Sequence, residues 1–279
     1  MDRTTLIKIA KDLHREVLDA KSYYLIMQQY QKNQHDYEKE MEISPTFYKT
    51  VYKALMKACF MEIAKLYDKS NDAISIGFLL AECKENQSFF PEYKKTITVE
   101  YDGITCSYQI HYQHLIKPHE ECFFKDLLKK NRELLAALDI PDAENNVPPQ
   151  VNLTFPEILE LYQKRFNGLS KKRKNIQMQR NKFYAHNDKK RIVSNENLLD
   201  HYCISYSDVQ ELIDFALDCT ELILGVLIDV NHVLQHAKNT GDWESTLMLT
   251  RLGLKYREYD LRQEEKAFEA DMQKTISDS

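Results

Sequence analysis

Apolar residues recur every three or four positions along most of the chain. Leu6, Ile9, Leu13, Val17, Ala20 and Tyr24 keep this spacing, which predicts an amphipathic helix over residues 4–33 with one buried stripe. Ile43-Ser44-Pro45 interrupts the pattern. Ser44 as N-cap and Pro45 at the first helical position predict a second helix, with Phe47, Val51, Leu55, Cys59, Ile63 and Leu66 on its apolar side. It is expected to end near 67–71, and Asp72 to cap a third helix through Ile76, Leu79, Leu80 and Cys83. A fourth helix is predicted over 118–138, followed by a Pro- and Asn-rich loop at 140–150. Pro156 opens another that can break at Gly168-Leu169-Ser170 and runs to about His186. Ser207 or Asp208 is expected to cap a strongly apolar helix containing Val209, Leu212, Ile213, Ala216 and Ile223. From Trp243 the chain stays helical and becomes charged after Lys255.

Residues 95–112 follow a different rhythm. Two alternating runs flank Asp102-Gly103, a strong hairpin signal. An isolated hairpin is marginal in water, so its Ile97/Val99/Tyr101 or Ile104/Cys106/Tyr108 face is expected to pack on a helix or another subunit.

Composition agrees with a helical chain. Its 279 residues include only 6 Gly and 7 Pro, too few turn formers for a sandwich, barrel or propeller. The reading is all-α, an antiparallel helical bundle with a small β-hairpin insertion. A single helical domain is expected over residues 1–279: helices at 1–90, the hairpin at 95–112, further helices at 117–240, and a charged helical tail at 241–279. The first residues carry charges every few positions and the longest apolar run, Leu222 to Ile228, is about a third of a membrane span. A cytoplasmic protein with no membrane partner is expected, its six scattered cysteines reduced.

Charge changes the picture. The net charge is −5, yet residues 171–191 hold nine basic residues and one acid, Asp188. That window is +8 and the rest of the chain −13, a local footprint for a polyanion. Inside it lies Arg180-Asn181-Lys182-Phe183-Tyr184-Ala185-His186-Asn187-Asp188. On a helical wheel Leu169, Ile176 and Phe183 form one stripe, with Arg180 about 40° from its centre and His186 about 80° away on the other border. A cation so close to a buried face needs an ionic partner or a polyanionic ligand. On an ideal helix the two groups lie about 120° apart, so they converge on one phosphate only if Arg180 curls, the helix ends early, or a second subunit completes the site.

The Arg-Asn-x-x-x-Ala-His segment resembles the signature of the HEPN superfamily. An N-terminal helical part with a Lys-Leu-Tyr-Asp-like segment, Lys65 to Asp68, resembles the abortive-infection, AbiU-like branch. The resemblance implies a HEPN-type bundle and a metal-independent endoribonuclease toxin with no cofactor. It further implies a homodimer whose Arg/His sets face each other, a role in antiphage defence, and an antitoxin or nucleotidyltransferase as a candidate partner. The residue types suit that chemistry. An imidazole with a pKa near 6.5 moves protons at cellular pH, and a guanidinium offers a planar donor fork to phosphorane oxygens. His186 is thus the candidate general acid/base, Arg180 the phosphate ligand and Asn181 an orienting group. Lys171, Lys172, Arg173, Lys174, Lys182, Lys189, Lys190 and Arg191 are candidates for the RNA backbone, and Tyr184 for stacking on a base.

Two other readings have a basis. The same surface could serve a non-catalytic HEPN module that binds RNA, a nucleotide or a protein, or the hairpin could add a strand to a partner sheet. Cys106, His111, His114, His119 and Cys122 match no standard zinc spacing, so no metal is expected there. No Gly-rich phosphate loop, G-x-S-x-G or H-E-x-x-H is present.

Overall fold

The computed structural model describes residues 1–70, 72–101, 104–116, 120, 122, 124, 125, 129, 150–181, 202–228 and 242–277. The helix expected over 118–138, most of the loop at 140–150 and the segment from Lys182 onward to 201 lie outside this description.

Helix α1 (Arg3–Asn33) is capped by Asp2, whose carboxylate accepts the Thr5 backbone N–H at 2.9 Å. The expected stripe of Leu6, Ile9, Leu13, Val17, Ala20 and Tyr24 is buried. It packs on α3 (Pro45–Leu66) and on α7 (Tyr206–Ile228), the most apolar helix. A short α2 (Glu38–Glu42), not anticipated, fills the turn between α1 and α3. α3 starts at Pro45, although the Ser44 side chain makes no cap hydrogen bond.

Two caps differ from expectation. Ser75, not Asp72, caps α4 (Ile76–Glu85), its hydroxyl accepting the Phe78 N–H at 3.3 Å. At α7 the Ser205 hydroxyl accepts the Asp208 N–H at 3.1 Å while the Asp208 carboxylate accepts the Ser205 N–H at 3.0 Å. This reciprocal capping box makes Ser205 the cap and Asp208 its partner three residues on. α5 (Phe155–Gly168) opens with another such box, Thr154 and Glu157. The chain breaks at Leu169, as the Gly-Leu-Ser stretch suggested, and resumes as α6 (Ser170–Gln179).

The hairpin forms in the expected place, β1 (Lys95–Tyr101) against β2 (Ile104–Ile110). Its register sets Ile97 opposite Tyr108 and Val99 opposite Cys106, so the two apolar faces considered above are one face. Of the two expected coverings, a helix of the same chain is not found: Ile97, Val99, Tyr108 and Ile110 are exposed within the chain. A second ladder was not legible: β3 (Tyr112–Leu115) pairs antiparallel with β4 (Gln150–Leu153). Val151 joins Ile116, Phe124 and Leu161 in a small satellite core.

The main core draws on α1, α3, α4, α5, α6 and α7. Polar groups inside it are paired: His14 Nδ1 lies 3.0 Å from Thr220 Oγ1, and the Tyr67 hydroxyl donates to the Leu212 carbonyl at 2.6 Å. Arg165 on α5, almost fully buried, meets Glu120 at 2.9 Å and Asp218 at 3.4 Å. Glu120 also meets His114 Nε2 at 2.9 Å, so this network ties β3 to α5 and α7. Trp243 anchors the start of α8 (Asp242–Ser277) by stacking on Tyr30, centroids 4.5 Å apart. No helix among the described residues is long and apolar enough to cross a membrane.

One glycine is required by packing. A Cβ on Gly77 would lie 2.8 Å from Phe166 Cζ, and Phe166 is itself held beneath Arg173 and against Phe215. Gly225, inside α7, has open space at the same position. Gly77→Ala is therefore expected to lower stability by about 1–2 kcal/mol through overpacking. Gly225→Ala is expected to raise it by roughly 0.5–1 kcal/mol through helix propensity. Urea midpoints of the two variants check both signs.

Candidate functional site

The site is built where the ends of α3 and α6 meet. Leu66 and Tyr67 close α3 and are buried, Tyr67 by its ring against Phe166 and its hydroxyl on Leu212. With Tyr67 fixed, Asp68 emerges at the surface end of the helix. Its Oδ1 accepts the Ser70 N–H at 3.0 Å. Its Oδ2 accepts Arg180 Nη1 at 2.8 Å.

Arg180 is the C-cap of α6, and its side chain, like that of Asp68, is 24% exposed. At Arg180 and Asn181 the chain takes the wider π geometry, a helix irregularity common at functional sites. Arg180 Nε donates to Asn181 Oδ1 at 3.0 Å. Two of the three guanidinium nitrogens are thus engaged among the described residues, which fixes the plane of the group. The partner that the helical wheel demanded is Asp68, 112 positions earlier. The Ser70 N–H and the Arg180 guanidinium hold the Asp68 carboxyl down at about 2.

α6 is fastened on both sides of this point. Gln177 Nε2 donates to the Ala64 carbonyl on α3. Asn175 Nδ2 and Gln179 Nε2 donate to the Cys203 and Tyr202 carbonyls, each at 2.7 Å, where the chain re-enters before α7.

The basic run is not one continuous face. Lys171 and Lys174 are exposed. Lys172 is ion-paired with Asp208 at 2.8 Å and with Glu211, both on α7. Arg173 is buried, its guanidinium 3.6 Å from the Phe166 ring centroid, and burial lowers its pKa. These two cations are engaged in the packing of α6 and do not stand with Lys171 and Lys174 on its exposed side. The sequence carried a sign of this: Arg173 lies one heptad before Arg180, on the same border of the buried stripe. Lys182, Tyr184, His186, Lys189, Lys190 and Arg191 lie outside the described residues. Of the residues weighed for zinc, His114 is on Glu120, and among the described residues no group of three or more His, Cys, Asp or Glu could hold a metal ion.

A helical bundle in which a late helix delivers Arg180-Asn181, followed in sequence by His186, defines a HEPN-type protein. The sequence matches the family model HEPN_AbiU2, described as AbiU2, over residues 3–245, and the chain belongs to that family of HEPN-type abortive-infection modules. No curated protein and no solved structure matches it.

The ion pair makes a prediction about pH. Asp68 has a folded pKa near 2 against an ordinary 3.8, so its stabilising contribution is complete above about pH 4 and is lost as the pH falls toward 2. Asp68→Asn is expected to remove this part of the acid dependence, leaving a shallower loss of stability between pH 4 and 2. Urea midpoints of both proteins across that range measure it.

Proposed function

We propose that the chain is a metal-independent endoribonuclease of HEPN type, acting as an abortive-infection toxin in antiphage defence. The observation that carries this reading is Arg180, held in a fixed plane at the end of α6 by Asp68 and Asn181, with a donor edge left over. In the reaction the RNA 2′-hydroxyl loses its proton to a base and its oxygen attacks the adjacent phosphorus. The bond from phosphorus to the 5′-oxygen breaks, and that oxygen takes up a proton. The products are a 2′,3′-cyclic phosphate and a 5′-hydroxyl end.

His186 moves the protons, because an imidazole ordinarily titrates close enough to neutral pH to act in both directions. Arg180 places its remaining edge on the anionic phosphorane, where charge-assisted hydrogen bonds are strongest. Asn181 orients the guanidinium, and Asp68 acts through Arg180 as a positioning residue. Lys171 and Lys174 hold the RNA backbone from the exposed side of α6, together with Lys182, Lys189, Lys190 and Arg191, and Tyr184 stacks on a base. A second copy completes the cleft.

The alternative, a non-catalytic HEPN module that binds RNA, a nucleotide or a protein, draws support from the same ion pair. A phosphate must share Arg180 with a carboxylate already 2.8 Å away.

Incubation of purified protein with total RNA and mapping of the ends separates the two. Arg180→Ala and His186→Ala are each expected to lower cleavage and toxicity at least 100-fold while the protein stays folded, with wild-type cleavage persisting in EDTA. RNA binding with a steep salt dependence and no cleavage establishes the binding module instead. In either case Lys171→Ala/Lys174→Ala is expected to flatten the dependence of log affinity on log salt by about one to two units.

A further inference from the structure

A cavity of about 750 Å³ lies between the end of α1, the short α2 and the first turns of α3. Sites for small molecules typically measure about 300–1,000 Å³. The cavity is at the end of α3 away from Asp68: from Lys49 to Leu66 the helix runs about 25 Å. The site around Arg180 uses none of the side chains that line it.

The walls are held by contacts within the chain. Tyr30 stacks on Trp243 of α8, centroids 4.5 Å apart. The Tyr52 and Tyr206 hydroxyls share a hydrogen bond of 2.5 Å, and Gln31 Nε2 donates to both oxygens at 2.9 Å. Burial raises the pKa of Tyr30 and of Tyr52, so both rings stay neutral. α2 is fastened through Glu40, which is not part of the lining: it accepts Arg251 Nε at 2.5 Å, and the same guanidinium lies over Tyr37. Such pinned walls are what a preformed site has.

The lining divides by charge. On the α3 side stand Lys49 and Lys53, one turn apart, and α3 carries no acidic residue before Glu62. Neither lysine is ion-paired among the described residues. The α2 side carries Glu38 and Glu42, and the rings of Tyr30, Tyr48 and Tyr52 add an aromatic surface. A ligand that satisfies all three parts has a planar ring for the tyrosines, N–H or O–H donors for the carboxylates and negative charge for the lysines. A nucleotide combines them.

We propose that this cavity is a nucleotide site, with the base against Tyr48 and Tyr52, phosphate oxygens on Lys49 and Lys53, and base or ribose donors on Glu38 and Glu42. A free nucleotide and the end of a single-stranded RNA present this same chemistry, since single strands too are held by aromatic rings beside cations. The site does not depend on the nuclease reading, because binding at this end of α3 is measured without cleavage.

Calorimetric titration of the full chain with ATP, with GTP and with a short single-stranded RNA tests the site. The RNA is titrated into Arg180→Ala, so that the other site does not contribute. Trp243 is the one tryptophan of the chain and stacks on Tyr30, so its emission reports a ligand in this cavity. Binding of at least one probe is expected to change that emission. Its affinity is expected to fall about tenfold or more in Lys49→Ala/Lys53→Ala. Lys57→Ala, at an exposed position of α3 outside the lining, is expected to leave it unchanged within about twofold. Circular dichroism checks that the variants stay folded. Binding of ATP or GTP with this dependence supports the proposal with a free nucleotide as the ligand; binding of RNA alone with this dependence supports it with a strand end. Three results overturn it: no binding of any probe at millimolar concentration, a loss in the double variant no larger than in Lys57→Ala, or tripolyphosphate binding as tightly as ATP, which leaves the base no role.

Discussion

The position of Asp68 depends on a tyrosine that takes no part in the chemistry. Tyr67 is fully buried between α3, α5 and α7, and its hydroxyl has one place to donate, the Leu212 carbonyl at 2.6 Å. Burial raises its pKa well above the ordinary value, so it remains a neutral donor. The next residue inherits this anchoring. Asp68 can satisfy its carboxylate only at the surface end of α3, where the Ser70 N–H and Arg180 meet it. An aromatic ring in the core thereby sets the plane of a guanidinium at the edge of the molecule.

The cations of α6 divide by the same logic. A charge on the buried border of a helix needs compensation, because desolvating it alone costs several kcal/mol. Arg173 finds an aromatic face, Lys172 two carboxylates of α7, and Arg180 one carboxylate of α3 with the amide of its neighbour. Arg180 differs from the other two in where its surroundings end. It sits at the last turn of α6, so part of its donor fork is not enclosed by the bundle. The partial exposure of Arg180 follows from this position and not from the number of basic residues around it.

Which parts of this were legible in the sequence follows from the range of the interactions. Helices α1, α3, α5, α6 and α7 come from a three-to-four-residue apolar period, a local signal that the core then satisfies position by position. The β1–β2 hairpin is signalled just as locally in the sequence, by two alternating runs on either side of Asp-Gly. The caps of α4 and α7 were missed by two or three residues because several Ser and Asp lie close together and only the folded turn selects among them. The β3–β4 ladder joins two four-residue strands across 34 intervening positions, with too little alternation to read. At the site, the wheel shows that Arg180 needs a partner but cannot choose one carboxylate among 43 acidic residues. That choice is made by the packing of α3 against α6, through contacts such as Gln177 on Ala64. Arg173 was read with the lysines beside it, although its place on the stripe set it apart.

Two elements carry a large share of the exposed apolar surface, and both lie outside the main core. The hairpin presents Ile97, Val99, Tyr108 and Ile110 on one face and Thr, Ser, Gln and Glu on the other. The free part of α8 carries Leu252, Tyr256, Tyr259 and Phe268. Neither contributes to the burial that holds α1, α3, α6 and α7 together, so the geometry around Arg180 does not require them to be covered. A two-stranded ribbon and a solitary helix are nonetheless marginal in water. The site, by contrast, draws its rigidity from within the bundle. The residues that fix the site and those that expose apolar surface are in this sense separate sets.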